Sequence, residues 1–320
     1  MRVVVIGATG HIGTFLIPRL VDAGHEVVAV SRGQRKPYRD SAAWQSVTMV
    51  NLERSTLEAQ GRFGDAVAEL RPDAVIDLVC FTLASAEQLV SALCGRVQHL
   101  LHCGTIWVHG PSVQVPTTES QPRRPFGEYG IQKAEIEAFL LKEARMGNFP
   151  ATILHPGHIV GPGWAPLNPA GHFNPSVFTK LAHGQEVTLP NFGMETVHHV
   201  HADDVAQAFS QALCHWSSSV GESFHVVSPA AVSLRGYAEA VAGWFSRQAN
   251  LKFLPWEEFT STVTEAEAKS TWDHIAHSPN ASIDKAMRLI DYQPRYSSFE
   301  AVKEAVRWLI DAGEVSGQTI

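Results

Sequence analysis

Cysteine is scarce in this sequence, and basic residues are outnumbered by acidic ones. The four cysteines are scattered too widely for a disulfide framework or a zinc motif of closely spaced pairs. The 25 Lys and Arg residues against 32 Asp and Glu residues give a net charge of −7, and no dense basic run is present to suit a nucleic acid. We therefore expect no metal site and no nucleic-acid partner.

Long hydrophobic runs are absent as well. A helix that spans a bilayer needs about 20 consecutive apolar residues, and the apolar runs of this chain are much shorter. From Met1 the chain passes through a short apolar run directly into glycines, which is not the pattern of a secretory signal peptide. We expect a soluble, cytoplasmic protein with no membrane partner.

Short β-branched runs alternate with longer amphipathic stretches over the first 150 residues. Apolar runs without polar alternation are typical of parallel strands that helices cover on both faces. The pattern therefore predicts an α/β fold with a doubly wound parallel sheet. The predicted strands are residues 2–6, 26–30, 74–79, 99–103 and 151–154.

The chain changes character after residue 154, where Gly, Pro, Asn and His become frequent. We expect a nucleotide-binding domain of residues 1–154 plus about 196–216. A smaller C-terminal substrate-binding portion would hold residues about 155–195 and 217–320.

Three glycines in the segment GATGHIG directly follow the first predicted strand and open the first predicted helix. Gly7 would allow the tight turn, Gly10 the approach of a pyrophosphate, and Gly13 close packing of helix on strand. Thr9, His11 and Ile12 lie within the same loop, whose helix N-terminus attracts anions. The strand–loop–helix context predicts a Rossmann-type dinucleotide site.

The end of the second predicted strand indicates which dinucleotide binds. An acidic residue there would favour NAD, but this chain has Ser31 and Arg32. A guanidinium can pair with a 2′-phosphate, so we expect NADP, with NAD possible. The alternative is that Arg32 belongs to a solvated basic turn.

Tyr129 and Lys133 lie four residues apart on a predicted helix, so their side chains share one face. A tyrosine of ordinary pKa exchanges protons poorly at neutral pH unless a cation stabilises its phenolate. Lys133 can supply that cation.

Further motifs follow in order along nearly the whole chain: TIWVHG at 105–110, YGIQK at 129–133, HPGHIVGPG at 155–163, VHADDVA at 200–206, and a closing segment at 284–294. Together with the glycine loop they resemble the extended short-chain dehydrogenases/reductases of the NAD-dependent epimerase/dehydratase type. The resemblance implies hydride transfer at a nicotinamide, with Thr105, Tyr129 and Lys133 as the catalytic residues.

The resemblance also implies contacts for cofactor and substrate. Cofactor contacts are expected from the residues Asn51, Leu52, Leu78, Val79, Cys80, Cys103, Pro156, Gly157 and His158, besides the glycine loop, Ser31, Arg32, Tyr129 and Lys133. Substrate contacts are expected from the residues Phe81, Thr105, Trp107, Tyr129, His158, Asn174 and His199. In relatives the tyrosine-bearing helix often packs in a dimer interface, so we expect a homodimer.

Departures from the family pattern bear on the substrate. Nucleotide-sugar members usually place an arginine just before the VHADDVA segment and another before the closing motif, and this chain has neither. Ile106 and Trp107 stand where sugar dehydratases carry an acidic pair, which disfavours dehydration. His199 and His201 could chelate a metal, but no further ligand pattern accompanies them.

We therefore expect an NAD(P)-dependent oxidoreductase that acts on a secondary alcohol or carbonyl of a small sugar-like compound. One alternative is a sugar or nucleotide-sugar epimerase that retains NAD. Another is a non-catalytic, nucleotide-sensing or RNA-associated relative.

Overall fold

A seven-stranded, wholly parallel sheet forms the centre of the molecule in the computed structural model, which describes residues 1–318 and 320. Its strands are β1 (Arg2–Ile6), β2 (Glu26–Ser31), β3 (Thr48–Asn51), β4 (Ala74–Asp77), β5 (His99–Cys103), β6 (Ala151–Pro156) and β11 (Ser223–Val226). They lie in the order β11-β6-β5-β4-β1-β2-β3. This contains the order 3-2-1-4-5-6 of dinucleotide-binding folds, so the predicted Rossmann-type sheet is confirmed.

Helices cover both faces of this sheet, as its uninterrupted apolar strands require. One face packs on α1 (His11–Asp22), α7 (Ala202–Cys214) and α12 (Asp284–Ile290). The other face packs on α3 (Phe63–Ala68), α4 (Leu83–Leu93) and α5 (Gly127–Arg145). The short helix α2 (Arg54–Ala59) packs beside α3 in this second layer, and α8 (Trp216–Ser219) packs beside α7 and α12 in the first.

The remaining elements form a smaller portion with its own apolar core. Its two-stranded sheets are β7 (His158–Val160) with β10 (His199–His201), β9 (Thr196–Val197) with β12 (Val232–Ser233), and β8 (Glu186–Pro190) with β13 (Asn250–Leu254). Its helices are α6 (Ser176–Ala182), α9 (Leu234–Trp244), α10 (Trp256–Thr260), α11 (Glu265–His277) and α13 (Ser298–Asp311).

Two segments that the sequence assigns to the substrate-binding portion pack with the central sheet instead. Strand β11 pairs with β6 as the last strand of the sheet. The segment around α12 adds Ile283, Ile290 and Tyr292 to the apolar core beneath the sheet. The chain returns here to cover an edge that β6 would leave unpaired, and the division into two portions stays a prediction.

Among the helices of the described residues, none is long and apolar enough to cross a membrane. The cytoplasmic location stays a prediction.

Candidate active site

A cavity of about 390 Å³ opens where the sheet meets the smaller portion, beside the carboxyl end of β5. Open parallel sheets bind their ligands at such ends. We call Thr105, Trp107 and Tyr129 the catalytic wall of this cavity. The facing recognition wall consists of His158, Phe173 and His274.

The lining of the cavity is uncharged. Among the described residues, its lining includes no Lys, Arg, Asp or Glu; the remaining members are His11, Ile106, Gly157, Ile159, Trp164, Thr196, Val197, His198 and Pro279. Two anionic phosphates would find no cationic side chain on these walls to offset the loss of their hydration.

The catalytic wall is built where β5 ends. Thr105 follows that strand and begins a 3₁₀ helix (Ile106–His109), where its Oγ1 accepts a hydrogen bond from the Trp107 N–H at 3.3 Å. Tyr129 lies in the first turn of α5, and its ring meets that of Trp107 edge-on at 6.0 Å between centroids. The structure thus brings the predicted Thr105 and Tyr129 to one side of the same cavity.

Lys133 is fully buried one turn beyond Tyr129. Its Nζ donates to the carbonyl oxygen atoms of Cys80 at 2.7 Å and Cys103 at 2.6 Å, and it lies 5.9 Å from the centroid of the Tyr129 ring. Burial lowers the pKa of Lys133. Main-chain oxygens at the ends of two strands therefore hold the ammonium group near Tyr129.

The acid–base properties of the neighbouring groups follow from their burial. Burial of the phenol raises the pKa of Tyr129, although 41% of the residue is exposed, and the hydroxyl of Thr105 partly offsets the rise. Burial also raises the pKa of the Cys103 thiol to about 11. Cys103 is therefore a protonated thiol near neutral pH rather than a nucleophile.

A buried network behind Thr105, which the sequence analysis missed, fixes its main chain. The Thr105 N–H donates to Nδ1 of His155 at 3.0 Å, and Nε2 of His155 donates to Oε1 of Glu137 at 3.0 Å. Arg123 Nε donates to Oε2 of the same carboxylate at 2.9 Å. Burial opposes ionisation of Glu137, but His155 and Arg123 together hold its pKa well below the usual range. The sequence did hold a signal for Glu137, namely the four-residue spacing from Tyr129 to Lys133 and from Lys133 to Glu137. This spacing puts all three residues on one helix face.

The glycine loop has the backbone geometry that a pyrophosphate site needs. Gly7 has a φ of +85°, and a Cβ on Gly13 would lie 2.0 Å from the carbonyl oxygen of Ala8. The N–H groups of His11 and Ile12 open α1 and donate to no oxygen of the described residues. These free donors at a helix N-terminus fit an anionic phosphate.

Further residues that the sequence analysis expects at the cofactor surround this loop. Leu78 and Val79 directly follow β4, and a Cβ on Gly7 would meet Val79 at 2.8 Å. Thr9 is buried, and the buried ring of His11 stacks on Trp164 at 5.2 Å between centroids. Pro156 ends β6, and Gly157 after it lines the cavity.

The ends of β2 and β3 bring together the residues expected at the adenosine side. Ser31 and Asn51 are register partners, and the Leu52 N–H donates to the Ser31 carbonyl at 3.0 Å. The Ser31 hydroxyl accepts a hydrogen bond from the Gly33 N–H at 3.2 Å, which shapes the turn. Arg32 is exposed between them, with its side chain available to a ligand.

The recognition wall comes from segments far apart in the sequence. His158 belongs to β7, Phe173 to the loop before α6, and His274 to the last turn of α11. The His274 ring meets those of Trp107 at 5.1 Å, His158 at 5.4 Å and Phe173 at 5.8 Å between centroids. His277 stacks on Trp107 at 4.2 Å, so α11 closes the cavity against both walls.

Three predicted substrate contacts lie elsewhere. His199 is fully buried behind His158, against Tyr237, and does not line the cavity. Asn174 is exposed outside the cavity, where its side-chain amide donates to Glu267 at 2.7 Å. Phe81 is 53% exposed and lies over Lys133 beside Tyr129. The positions of these three side chains depend on the packing of distant segments, which the spacing of residues along the sequence cannot predict.

Within the described part of the chain, no group of three or more His, Cys, Asp or Glu side chains could hold a metal ion. His201 instead begins α7, where its Nδ1 accepts from the Asp203 N–H at 3.0 Å.

Comparison with known proteins adds three findings. A model of the NAD dependent epimerase/dehydratase family matches residues 3–226. The chain is 28% identical to the 2'-dehydrokanamycin reductase of Streptomyces kanamyceticus, over 98% of this chain and 86% of that protein. It is 23% identical to the chloroplast stem-loop binding protein of 41 kDa b of Arabidopsis thaliana, over 95% of this chain and 78% of that protein.

Among solved structures, the UDP-glucose 4-epimerase of Thermotoga maritima has the same fold. It aligns with a TM-score of 0.74 at 18% identity, covering 98% of this chain and 99% of that one.

Proposed function

Because the chain belongs to the NAD-dependent epimerase/dehydratase family, we propose that this NAD(P)-dependent oxidoreductase interconverts a carbonyl and a secondary alcohol on a small sugar-like substrate. The observation that carries the proposal is the cavity, in which Thr105 and Tyr129 share one wall and the described lining has no charged side chain. A relative named as a 2'-dehydrokanamycin reductase supports net reduction of a ketone.

In this proposal Tyr129 is the general acid and base. Burial raises the pKa of Tyr129, so its hydroxyl holds a proton at neutral pH and can give it to a carbonyl oxygen as that oxygen gains charge. Thr105 would donate a hydrogen bond to the same oxygen, and Lys133 would stabilise the phenolate that remains. A bound nicotinamide would supply the hydride.

The proposed cofactor is NADP, held by residues at both ends of the site. The free N–H groups of His11 and Ile12 would bind the pyrophosphate. The exposed Arg32 would pair with the 2′-phosphate, and no carboxylate within residues 31–37 would repel it.

The proposal and its two alternatives can be tested by denaturing the purified protein and identifying any nucleotide that it releases. Protein that releases none and then binds NADP would support the exchanging reductase. Stoichiometric NAD would instead support the epimerase with retained cofactor. Failure to bind either nucleotide would count against both enzymes and against a nucleotide-sensing relative, and would leave the RNA-associated alternative.

A calorimetric titration with UDP tests the choice of substrate. We expect no saturable binding at millimolar UDP, because no described residue of the cavity lining has a cationic side chain. Tight, saturable binding of UDP would instead support a nucleotide sugar as the substrate.

We also propose a homodimer that forms through α5, whose outer face exposes Ile131. The chain mass is 35.0 kDa, and gel filtration at that mass rather than twice it would contradict the dimer.

A further inference from the structure

We propose that His158 and His274 form a fixed donor–acceptor pair that recognises a substrate hydroxyl group next to the reacting carbonyl carbon. This inference rests on the proposed function, because it takes the cavity as the substrate site. The pair would make the enzyme select hydroxylated, uncharged substrates.

The first half of the pair is a hydrogen-bond donor. Nε2 of His158 accepts a hydrogen bond from the Leu167 N–H at 3.2 Å. A neutral imidazole that accepts at one nitrogen carries its proton on the other. The Nδ1–H group of His158 is therefore left to donate, and Nδ1 has no partner among the described residues.

The second half is a hydrogen-bond acceptor. Nδ1 of His274 lies 2.7 Å from the carbonyl oxygen of Ser270. Because a carbonyl oxygen can only accept, Nδ1 carries the proton and Nε2 keeps a free lone pair. Nε2 of His274 has no partner within the described chain. Both this atom and Nδ1 of His158 are accessible to a ligand.

Burial keeps both rings neutral. It lowers the pKa of His158 well below the usual range, with His274 and His199 adding to the effect. It also lowers the pKa of His274, although the hydrogen bond to Ser270 and the negative charge of Asp273 oppose this. A neutral pair offers no charge to a phosphate, whose oxygens could accept from His158 but would meet a lone pair on His274.

The arrangement fits a hydroxyl group. The two rings lie 5.4 Å apart between centroids and nearly perpendicular, at 74°. A hydroxyl oxygen can accept from one ring and donate to the other, which an ammonium group cannot do. Phe173 and Trp107 flank the pair and offer apolar faces for the C–H groups of a sugar-like ring.

Two substitutions remove one partner each while keeping its structural hydrogen bond. In His158→Gln the amide oxygen can still accept from Leu167, but the Nδ1–H donor is lost. In His274→Asn the amide nitrogen can still donate to Ser270, but the Nε2 acceptor is lost. His183→Gln, at an exposed histidine outside the cavity, is the matched control.

The experiment compares NADPH oxidation with 2-hydroxycyclohexanone and with cyclohexanone. We expect the unsubstituted enzyme and the control to prefer the hydroxyketone by about 30-fold in kcat/KM, the effect of two hydrogen bonds of ordinary strength at about fivefold each. His158→Gln and His274→Asn should each remove one of the two bonds and lower the ratio to about fivefold, mainly through KM. Equal use of both ketones by the unsubstituted enzyme would overturn the hydroxyl pair and leave the proposed function standing.

A second measurement does not depend on turnover. Nitrogen-15 NMR of the imidazoles, assigned with the two variants, should find both rings neutral and protonated on Nδ1 at pH 7. An Nε2–H tautomer or a protonated ring at either position would overturn the pair. Failure to reduce either ketone, with both tautomers as expected, would count against the proposed reduction instead.

Discussion

The two walls of the cavity are built in different ways. The catalytic wall is formed by residues that follow a buried strand and by the first turn of a long helix, and its Thr105 is held by the network of Glu137, Arg123 and His155. The recognition wall is assembled from a short strand, a loop and a helix end, and burial keeps its imidazoles neutral. His155 thus fixes the main chain of Thr105 and contacts the Glu137 carboxylate, whereas His158 and His274 hydrogen-bond to main-chain groups and are proposed to recognise the ligand.

In the proposed function this difference assigns the reaction to one wall and substrate specificity to the other. Residues that follow a strand of a parallel sheet lie at the edge where such sheets bind their ligands. The recognition wall depends on side-chain packing between distant segments, which can vary without altering the reaction.

Tyr129→Phe should cause the largest loss, since it removes the proton donor of the catalytic wall and nothing else. We expect kcat to fall about 1,000-fold, within the usual range for a general acid. NADP affinity, measured by fluorescence titration, should be largely kept. Activity within tenfold of the unsubstituted enzyme would remove Tyr129 from the acid–base role.

Glu137→Gln tests whether the catalytic wall depends on a charged group behind it. Removal of one partner from a buried ion pair costs about 3 to 5 kcal/mol, so the free energy of unfolding in urea should fall by about that amount. We also expect a lower kcat, because Thr105 loses the support of its His155 contact. Glu135→Gln, at an exposed position on the same helix, is the control. Equal stability of the two variants would contradict the network.

As the pH falls, protonation of the buried histidines should destabilise the protein before protonation of Glu137 does. His198 lines the cavity, and burial lowers its pKa to about 4. Below pH 6.5 the His198 side chain binds a proton in the unfolded chain but stays neutral in the folded chain. The free energy of unfolding therefore falls as the pH drops from 6.5 to about 4. Each such histidine should contribute about 1.4 kcal/mol per pH unit.

The low pKa of Glu137 acts at more acidic pH, because its stabilising contribution is lost only as the pH falls from about 4.5 towards its folded value. Urea unfolding at pH 7, 6 and 5 should therefore show a falling free energy of unfolding. The fall should be smaller in the variant His198→Gln. An unfolding free energy that is constant from pH 7 to pH 5 would show that these histidines are not held neutral.

Arg32→Asp should have the smallest effect, because Arg32 lies outside both walls. We expect about a tenfold or greater weakening of NADP binding, while NAD binding changes little, since only NADP carries the 2′-phosphate. Calorimetric titration with both nucleotides measures this difference. Equal weakening of the two would show that Arg32 does not contact that phosphate.

Most of the central sheet could be predicted because its strands are continuous apolar runs. Strand β3 was missed, since it lies at the edge of the sheet with three of its four residues exposed and has no apolar run. Helix α11 was missed as well, because its buried positions are held by Thr271, His274, Ile275 and His277 rather than by an aliphatic stripe. Its capping box of Thr264 and Glu267 was the signal that remained.

The local order of residues was enough to predict the dinucleotide fold, the glycine loop and the pairing of Tyr129 with Lys133. Each of these depends on contacts within a strand, a turn or one helix face, where spacing dictates geometry. Tertiary packing alone brought His274 to the cavity, kept His199 behind it and placed Glu137 against His155. Those outcomes depend on burial and on partners far along the chain, and these set the protonation and direction of each side chain.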